Sequence, residues 1–265
     1  MGASEIWLVR HGESEANVVA TEAQRAGEER IVVEWRDADV PLSPTGREQA
    51  GALGVWLGEN ASGRSPVVWS SPYRRARETT AIALAGAGAG AEAGMEAAVP
   101  VRVDERLRDR ELGILDLLTA AGVQALHPEE AERRRWLGKF YYRPPGGESW
   151  ADVALRIRSF LRDAEDSAPS AQSGPLLVVA HDAVVMLFLF VCLGWSEEEL
   201  LGFARENVVV NASITRLVRA DGAASPTSAA DWQLAEFAHH GHLDRLDVEA
   251  TRHGGDTDES AEPAR

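Results

Sequence analysis

Arg10-His11-Gly12 follows four apolar residues, Ile6-Trp7-Leu8-Val9, with the character of a buried strand, and Glu13 to Asn17 suit the start of a helix. A histidine at a strand-to-helix junction sits where open α/β sheets bind ligands. Gly12 lets the backbone turn tightly, and the N–H groups and dipole at the start of the next helix favour an anion. Arg10 adds a rigid fork of donors suited to phosphate, and its charge biases the adjacent imidazole towards the neutral form that can act as a nucleophile. The tripeptide alone decides nothing. A strand-end histidine bonded to backbone has the same local sequence, and Arg252-His253-Gly254 repeats the motif in a polar tail with no strand before it.

The elements that would position such a group recur along the chain. Pro66 to Ser71 reads as a strand that breaks at Pro72 into a helix from Tyr73 to Leu84, bringing Arg74 and Arg75. Leu176-Leu177-Val178-Val179-Ala180 is uninterrupted and apolar, which predicts a central strand, and it ends at His181. Right-handed crossovers return parallel strands in one direction, so the strand ends carrying Arg10 and His11, Arg74 and Arg75, and His181 should meet at one sheet edge, bringing two histidines and at least two arginines together. Between these strands, Ser43 and Pro44 have the form of a helix N-cap and first residue, and Ser149 to about Asp163 carries Val153, Ile157, Phe160 and Leu161 at helical spacing. Further strands are predicted at Val99–Val103, Asn207–Val218 and Trp232–Phe237. A helix is expected from Ala125 to Trp136, with a loop through Phe140 to Pro145. Thr21–Asp39 reads as a surface excursion, Ala85–Ala98 as a fraying helix end and connector, and Ala164–Gly174 as a polar linker. The expected fold is a three-layer α/β sandwich, a mainly parallel central sheet with helices on both faces.

The 265 residues suffice for one catalytic domain over 1–246, with surface insertions near 21–39 and 110–147. From about Asp247 the acidic stretch 247–265 has little apolar content and is expected to be disordered. A formal net charge of −15 argues against nucleic acid or anionic membrane as a partner. The single cysteine, Cys192, excludes an intramolecular disulfide and suits a cytoplasmic protein. No signal segment precedes the first strand, and the run Ala183 to Trp195 is too short to span a bilayer. Nothing in the sequence sets an oligomeric state.

Taken together, the landmarks resemble the histidine phosphatase superfamily in its phosphoglycerate-mutase-like branch. Arg10-His11-Gly12-Glu13-Ser14 with Asn17, Leu42-Ser43-Pro44-Thr45-Gly46 with Gln49-Ala50, and Ser70-Ser71-Pro72-Tyr73-Arg74-Arg75-Ala76 with Thr79 stand in the family order. Pro145-Gly146-Gly147-Glu148-Ser149 and Val178-Val179-Ala180-His181 complete it, so that the resemblance spans roughly residues 5 to 218. It implies that His11 becomes phosphorylated, and that Arg10, Arg75, His181 and Asn17 hold the phosphoryl oxygens. Arg75 is preferred to Arg74 because Ala76 follows it. No metal or other cofactor is implied, since arginines and a protonated His181 can neutralise the charge.

Two departures from the family pattern bear on activity. Asp109 stands where the family usually carries a glutamate as general acid, and Glu111, two residues on, is the alternative; a surface ion pair with Arg108 or Arg110 is the bland reading of both. Asp182 stands at a common glycine position, where it either caps the following helix or adds negative charge near the phosphate. Lys139 and Arg143, near Arg133, Arg134 and Arg135, are candidates to bind a second anionic group of the substrate; a solvated helix face is the alternative for the three arginines. Glu148 is either a site residue or a helix-start carboxylate, and the closely spaced His239, His240 and His242 read as exposed side chains rather than metal ligands. The expected function is hydrolysis of a small phosphomonoester. A phosphoglycerate mutase is the first rival, disfavoured by Ala16 in place of tryptophan and by Asp109-Arg110-Glu111-Leu112-Gly113 in place of Glu-Arg-His-Tyr-Gly. A pseudoenzyme that binds phosphorylated ligands is the second.

Overall fold

The computed structural model describes residues 3–61, 64–89, 99–166, 174–219 and 232–253. Strand β1 (Glu5–Arg10) is buried along its whole length, as its apolar run requires. It pairs in parallel with β4 (Leu176–Ala180), placing Arg10 opposite Ala180, and β4 pairs in parallel with β2 (Val67–Ser70), placing Val179 opposite Ser70. The ends of these three strands therefore align. β3 (Val101–Val103) adds a parallel edge beyond β2, whereas β5 (Ile214–Arg219) and β6 (Trp232–His239) extend the other side antiparallel. The order is β3-β2-β4-β1-β5-β6, a mainly parallel six-stranded sheet.

Alternation along the strands supplies two cores. Ile6, Leu8, Leu176 and Val178 face α6 (Trp150–Asp166) and α7 (Asp182–Leu193), through Val153, Ile157, Phe160, Val184, Leu187 and Phe188. Trp7, Val9, Leu177 and Val179 face α2 (Pro44–Ala61) and α3 (Arg74–Ala89), through Leu53, Leu57, Ala76 and Ala83. Helices thus cover both faces, as a parallel sheet with buried strands demands. The predicted caps form: Ser43 Oγ accepts from Gly46 N at 3.0 Å, and Ser14 with Asn17 makes a reciprocal capping box on α1 (Glu15–Ala26). Among the described residues no helix is long and apolar enough to cross a membrane.

Four stretches differ from their sequence expectations. Asn207–Ser213 is not strand: β5 begins at Ile214, and Ala212 takes a positive φ of 53° while its N–H meets the Arg10 and His11 carbonyls. The segment from Asp247 to His253 is ordered, because polar pairing substitutes for the apolar burial it lacks; 254–265 lie outside the described residues. The helical run after Ala125 divides at His127 into α4 (Ala120–Leu126) and α5 (Pro128–Tyr141), with Gly138 at φ 77° turning the chain so that Phe140 is buried. Helix α3 continues to Ala89, beyond the predicted Leu84, and the rest of the expected connector, with most of the 164–174 linker, lies outside the described residues.

Candidate active site

His11 leaves β1 with its backbone N–H on the Ala180 carbonyl at 3.0 Å. Its Nδ1 lies 2.6 Å from the Gly12 carbonyl, which can only accept, so Nδ1 carries the proton and Nε2 the lone pair. Arg75 Nε donates to that Nε2 at 3.2 Å. Burial, then the charges of Arg75, His181 and Arg10, hold the imidazole well below its ordinary pKa. The ring is neutral at physiological pH with a lone pair on the side facing Arg75. Close backbone packing makes this turn possible: a Cβ on Gly12 would lie 2.5 Å from the Gly46 carbonyl oxygen, and one on Gly46 would lie 1.9 Å from that of Glu13. Thr79 ties the turn to α3, accepting from Gly12 N at 3.0 Å and donating to the Arg75 carbonyl at 2.8 Å.

The same burial has a consequence for stability. The unfolded chain takes up a proton at this ring near pH 6.5 and the folded chain does not, so the folded state weakens as pH falls below that value, by up to about 1.4 kcal/mol per pH unit. His242, pushed down to about 4 by burial, acts in the same direction. The His11 share is therefore the difference between wild type and His11→Gln. Thermal unfolding followed from about pH 7.5 to about pH 5.5 should show wild type losing more stability than the variant; parallel losses would contradict the neutral ring.

Around His11 stand the other strand-end residues. Arg10 is buried, with Nη1 on the Val209 carbonyl at 2.6 Å and Nη2 on the His253 carbonyl at 2.9 Å, while its Nε is buried without a hydrogen-bond partner among the described residues. A buried charged donor left in that state is expensive unless a ligand completes it. His181 directly precedes α7; Nε2 lies 2.9 Å from Ser71 Oγ and Nδ1 3.2 Å from Asp109 Oδ2. Asp109 Oδ2 also accepts from Arg75 Nη2 at 3.0 Å, and Oδ1 accepts from Arg110 N at 2.9 Å. Burial pushes this carboxyl up, but His181 and Arg75 outweigh it and hold the group well below the usual carboxylate range. Asp109 is thus ionised, occupying donors that would suit phosphoryl oxygens.

The remaining candidates lie at varying distance from this cluster. Arg74 faces outward and pairs with Glu78 at 2.8 Å, leaving Arg75 as the inward arginine. Glu111 accepts from the Tyr73 hydroxyl at 3.0 Å and lies beside Arg108, one step outward from Asp109. Asn17 Oδ1 is engaged by Ser14 N at 3.1 Å in the capping box. Arg143 pairs with Asp152, and the Lys139 ammonium lies over the Trp150 ring at 4.7 Å, so the described contacts bring neither to His11. Glu148 holds Arg108 and Arg156, and Arg156 Nη2 reaches the Asp109 carbonyl at 3.1 Å, which makes Glu148 a support for the loop that carries Asp109. Asp182 Oδ1 accepts from Ala183 N at 2.7 Å at the start of α7, and its charge also acts on Arg10. His239 pairs with Glu236 at 2.8 Å and His240 Nδ1 lies 2.8 Å from the Ala238 carbonyl; His242 is not exposed as expected but buried in α9 (Gly241–Arg245). Among the described residues no group of three or more His, Cys, Asp or Glu side chains is placed to hold a metal ion.

Several contributors carry no role that the sequence alone assigned. Asp37, in a 3-10 turn over Asp37–Asp39, accepts from Arg75 Nη1. Glu13 accepts from Ser43 Oγ at 2.6 Å and meets His253 Nε2 at 2.6 Å, while His253 Nδ1 meets Thr21 Oγ1 at 2.6 Å. Gln49 links Glu13 N to the Glu249 carbonyl and to Thr251. His253, from the second Arg-His pair, thus returns to the first and braces it, its carbonyl accepting from Arg10 Nη2 and its ring meeting Glu13.

Residues 6–231 match the histidine phosphatase superfamily (branch 1). The chain belongs to that superfamily. It is 31% identical over 195 residues to 6-phosphofructo-2-kinase/fructose-2,6-bisphosphatase of Gallus gallus, covering 74% of this chain and 34% of that protein, so it spans about a third of that relative. It is 33% identical over 184 residues to 2,3-bisphosphoglycerate-dependent phosphoglycerate mutase 2 of Gloeobacter violaceus, covering 69% of this chain and 72% of that one. Glucosyl-3-phosphoglycerate phosphatase of Mycobacterium tuberculosis is 31% identical over 191 residues, 70% of this chain and 73% of its own. The native structure of mycobacterial glucosyl-3-phosphoglycerate phosphatase superposes with a TM-score of 0.67 at 26% identity, over 89% of this chain and 99% of that one. The superfamily's α/β sheet is therefore the frame on which His11, Arg75 and His181 are set.

Proposed function

We propose that the protein hydrolyses a small phosphomonoester through a phosphohistidine at His11 Nε2. The observation that carries the reading is a neutral, buried His11 whose lone pair lies among Arg10, Arg75 and His181. Phosphoryl transfer needs an in-line nucleophile and fixed positive donors around the equatorial oxygens, and this cluster supplies both. The protein is a phosphomonoester hydrolase of the histidine phosphatase type, as the phosphatases among its relatives support.

In the first step His11 Nε2 attacks phosphorus, the ester P–O bond breaks, and the leaving oxygen takes a proton from Asp109. Asp109 starts ionised. Arrival of a phosphoryl group takes the Arg75 and His181 donors from it and adds negative charge beside it, both of which raise its pKa, so that it takes from solvent the proton it gives to the leaving oxygen and returns one to solvent after the second step. In the second step the same carboxylate removes a proton from water, whose oxygen attacks phosphorus as the P–N bond breaks. Arg10 Nε, Arg75 and His181 hold the phosphoryl oxygens throughout. The lone cysteine, buried in α7, and the net charge of −15 suit a cytoplasmic enzyme with a small phosphorylated substrate.

The mutase named among the relatives defines the competing activity. Inorganic phosphate release from a generic aryl phosphate and from glucosyl-3-phosphoglycerate, the substrate named for the mycobacterial relatives, should be measured beside isomerisation of phosphoglycerate primed with a bisphosphate. Release without primer is the expected result. Isomerisation that requires the primer would assign a mutase, and binding without either reaction would leave a phosphate-binding pseudoenzyme.

A further inference from the structure

Arg75 has most of its donors engaged before any phosphate arrives. Nε donates to His11 Nε2, Nη2 to Asp109 Oδ2, and Nη1 to both the carbonyl and the carboxylate Oδ1 of Asp37, at 2.7 and 2.8 Å. A guanidinium has five N–H groups, so one remains. Asp109 has a part in the proposed reaction, but Asp37 has none. It arrives from a turn 38 residues earlier in the chain, and its side chain is 37% exposed against 5% for Arg75, so a solvent-side carboxylate closes over a buried cation.

The charge inventory points the same way. Two guanidinium groups, Arg10 and Arg75, face the carboxylates of Asp109 and Asp37, with Asp182 acting on Arg10. Two guanidinium groups against three carboxylates leave no excess of arginine charge, which a pocket built only to retain a phosphate dianion would keep. An anion already paired with a guanidinium competes with a second anion for its donors and for its field.

On the reading of the site given above, we infer that Asp37 is an internal anion that occupies one face of Arg75, competes with inorganic phosphate for it, and thereby speeds product release. Asp37 is a positioning residue, acting on phosphate through Arg75. The substitution that isolates this role is Asp37→Asn. It keeps the backbone acceptor and offers an amide oxygen to Nη1, so that mainly the charge changes.

The test measures inorganic phosphate affinity by isothermal titration and by product inhibition, in wild type, Asp37→Asn and Asp37→Glu. Asp37→Asn should bind phosphate about tenfold more tightly, equivalent to about 1.4 kcal/mol. Asp37→Glu, which keeps the charge, should stay near wild type. A purely structural role predicts the opposite sign, since loosening Arg75 weakens phosphate. Unchanged or weaker binding in Asp37→Asn would overturn the inference while leaving the phosphatase reading in place, whereas a wild type that binds no phosphate would overturn both. Should Asp37→Asn fail to fold by circular dichroism, Asp37→Ser is read by the same criterion.

Discussion

His11→Ala is expected to lower kcat by at least about 10⁴-fold, because it removes the atom that forms the covalent intermediate rather than one that assists it. The local geometry makes substitution by another group improbable: Nε2 is fixed by the Nδ1 contact to the Gly12 carbonyl and faced by Arg75 at 3.2 Å, and the ring is 3% exposed. The His181 ring centroid lies 5.1 Å away, with Nε2 engaged by Ser71 Oγ at 2.9 Å and Nδ1 3.2 Å from the Asp109 carboxylate. Rapid quenching with labelled substrate should trap a phosphoramidate on wild type, labile to acid and stable to base, and none on His11→Ala. Fold and phosphate binding should survive, since Arg10, Arg75 and His181 remain. Label on a different residue, or a variant within a hundredfold of wild type, would refute the nucleophile.

Patterning in the chain marks the strand ends and little of what reaches them through coil. Arg10, His11, the Arg74–Arg75 pair and His181 are legible because strand periodicity and crossover handedness place them on one edge before any side chain is seen, and the family pattern, not periodicity, prefers Arg75 to Arg74. Asp37, Tyr73 and His253 are not, because they approach through turns and coil, where polar pairing leaves no period to read. The tail shows why composition misleads: Thr251 and His253 are held by Gln49, Asn211, Glu13 and Thr21 rather than by apolar burial. Asn207–Ser213 fails as a strand for a related reason. Its apolar valines suit a strand, but Asn211 Nδ2 reaches the His11 carbonyl at 3.0 Å, and that contact needs a turn. Arg143 and Lys139 illustrate the converse, basic residues whose partners Asp152 and Trp150 lie in the same part of the chain.

Geometry separates the two candidate acids where sequence spacing left them as rivals. Asp109 meets Arg75 and His181, the residues proposed to hold the phosphoryl group, whereas Glu111 meets the Tyr73 hydroxyl and is about half exposed, with a side-chain exposure of 48%. Asp109→Asn should therefore lower kcat by about 10²- to 10⁴-fold on an alkyl phosphate, the usual value of a positioned proton donor, and Glu111→Gln by less than about tenfold. Size alone would not identify the role, because Asp109 also pairs with Arg75 and lies 3.2 Å from His181 Nδ1, and its loss disturbs both. The leaving group supplies the discriminating measurement. A nitrophenolate departs without a proton, so the defect in forming the phosphohistidine should shrink sharply on the aryl ester while a purely structural defect would persist on both. The second half-reaction is indifferent to the original alcohol, and Asp109→Asn should hydrolyse the phosphohistidine slowly whichever ester formed it, so the intermediate accumulates with the aryl substrate. Leaving-group dependence in Glu111→Gln, with none in Asp109→Asn, would transfer the proton to the outer carboxylate and make Asp109 an anion that merely holds the pocket until phosphate arrives.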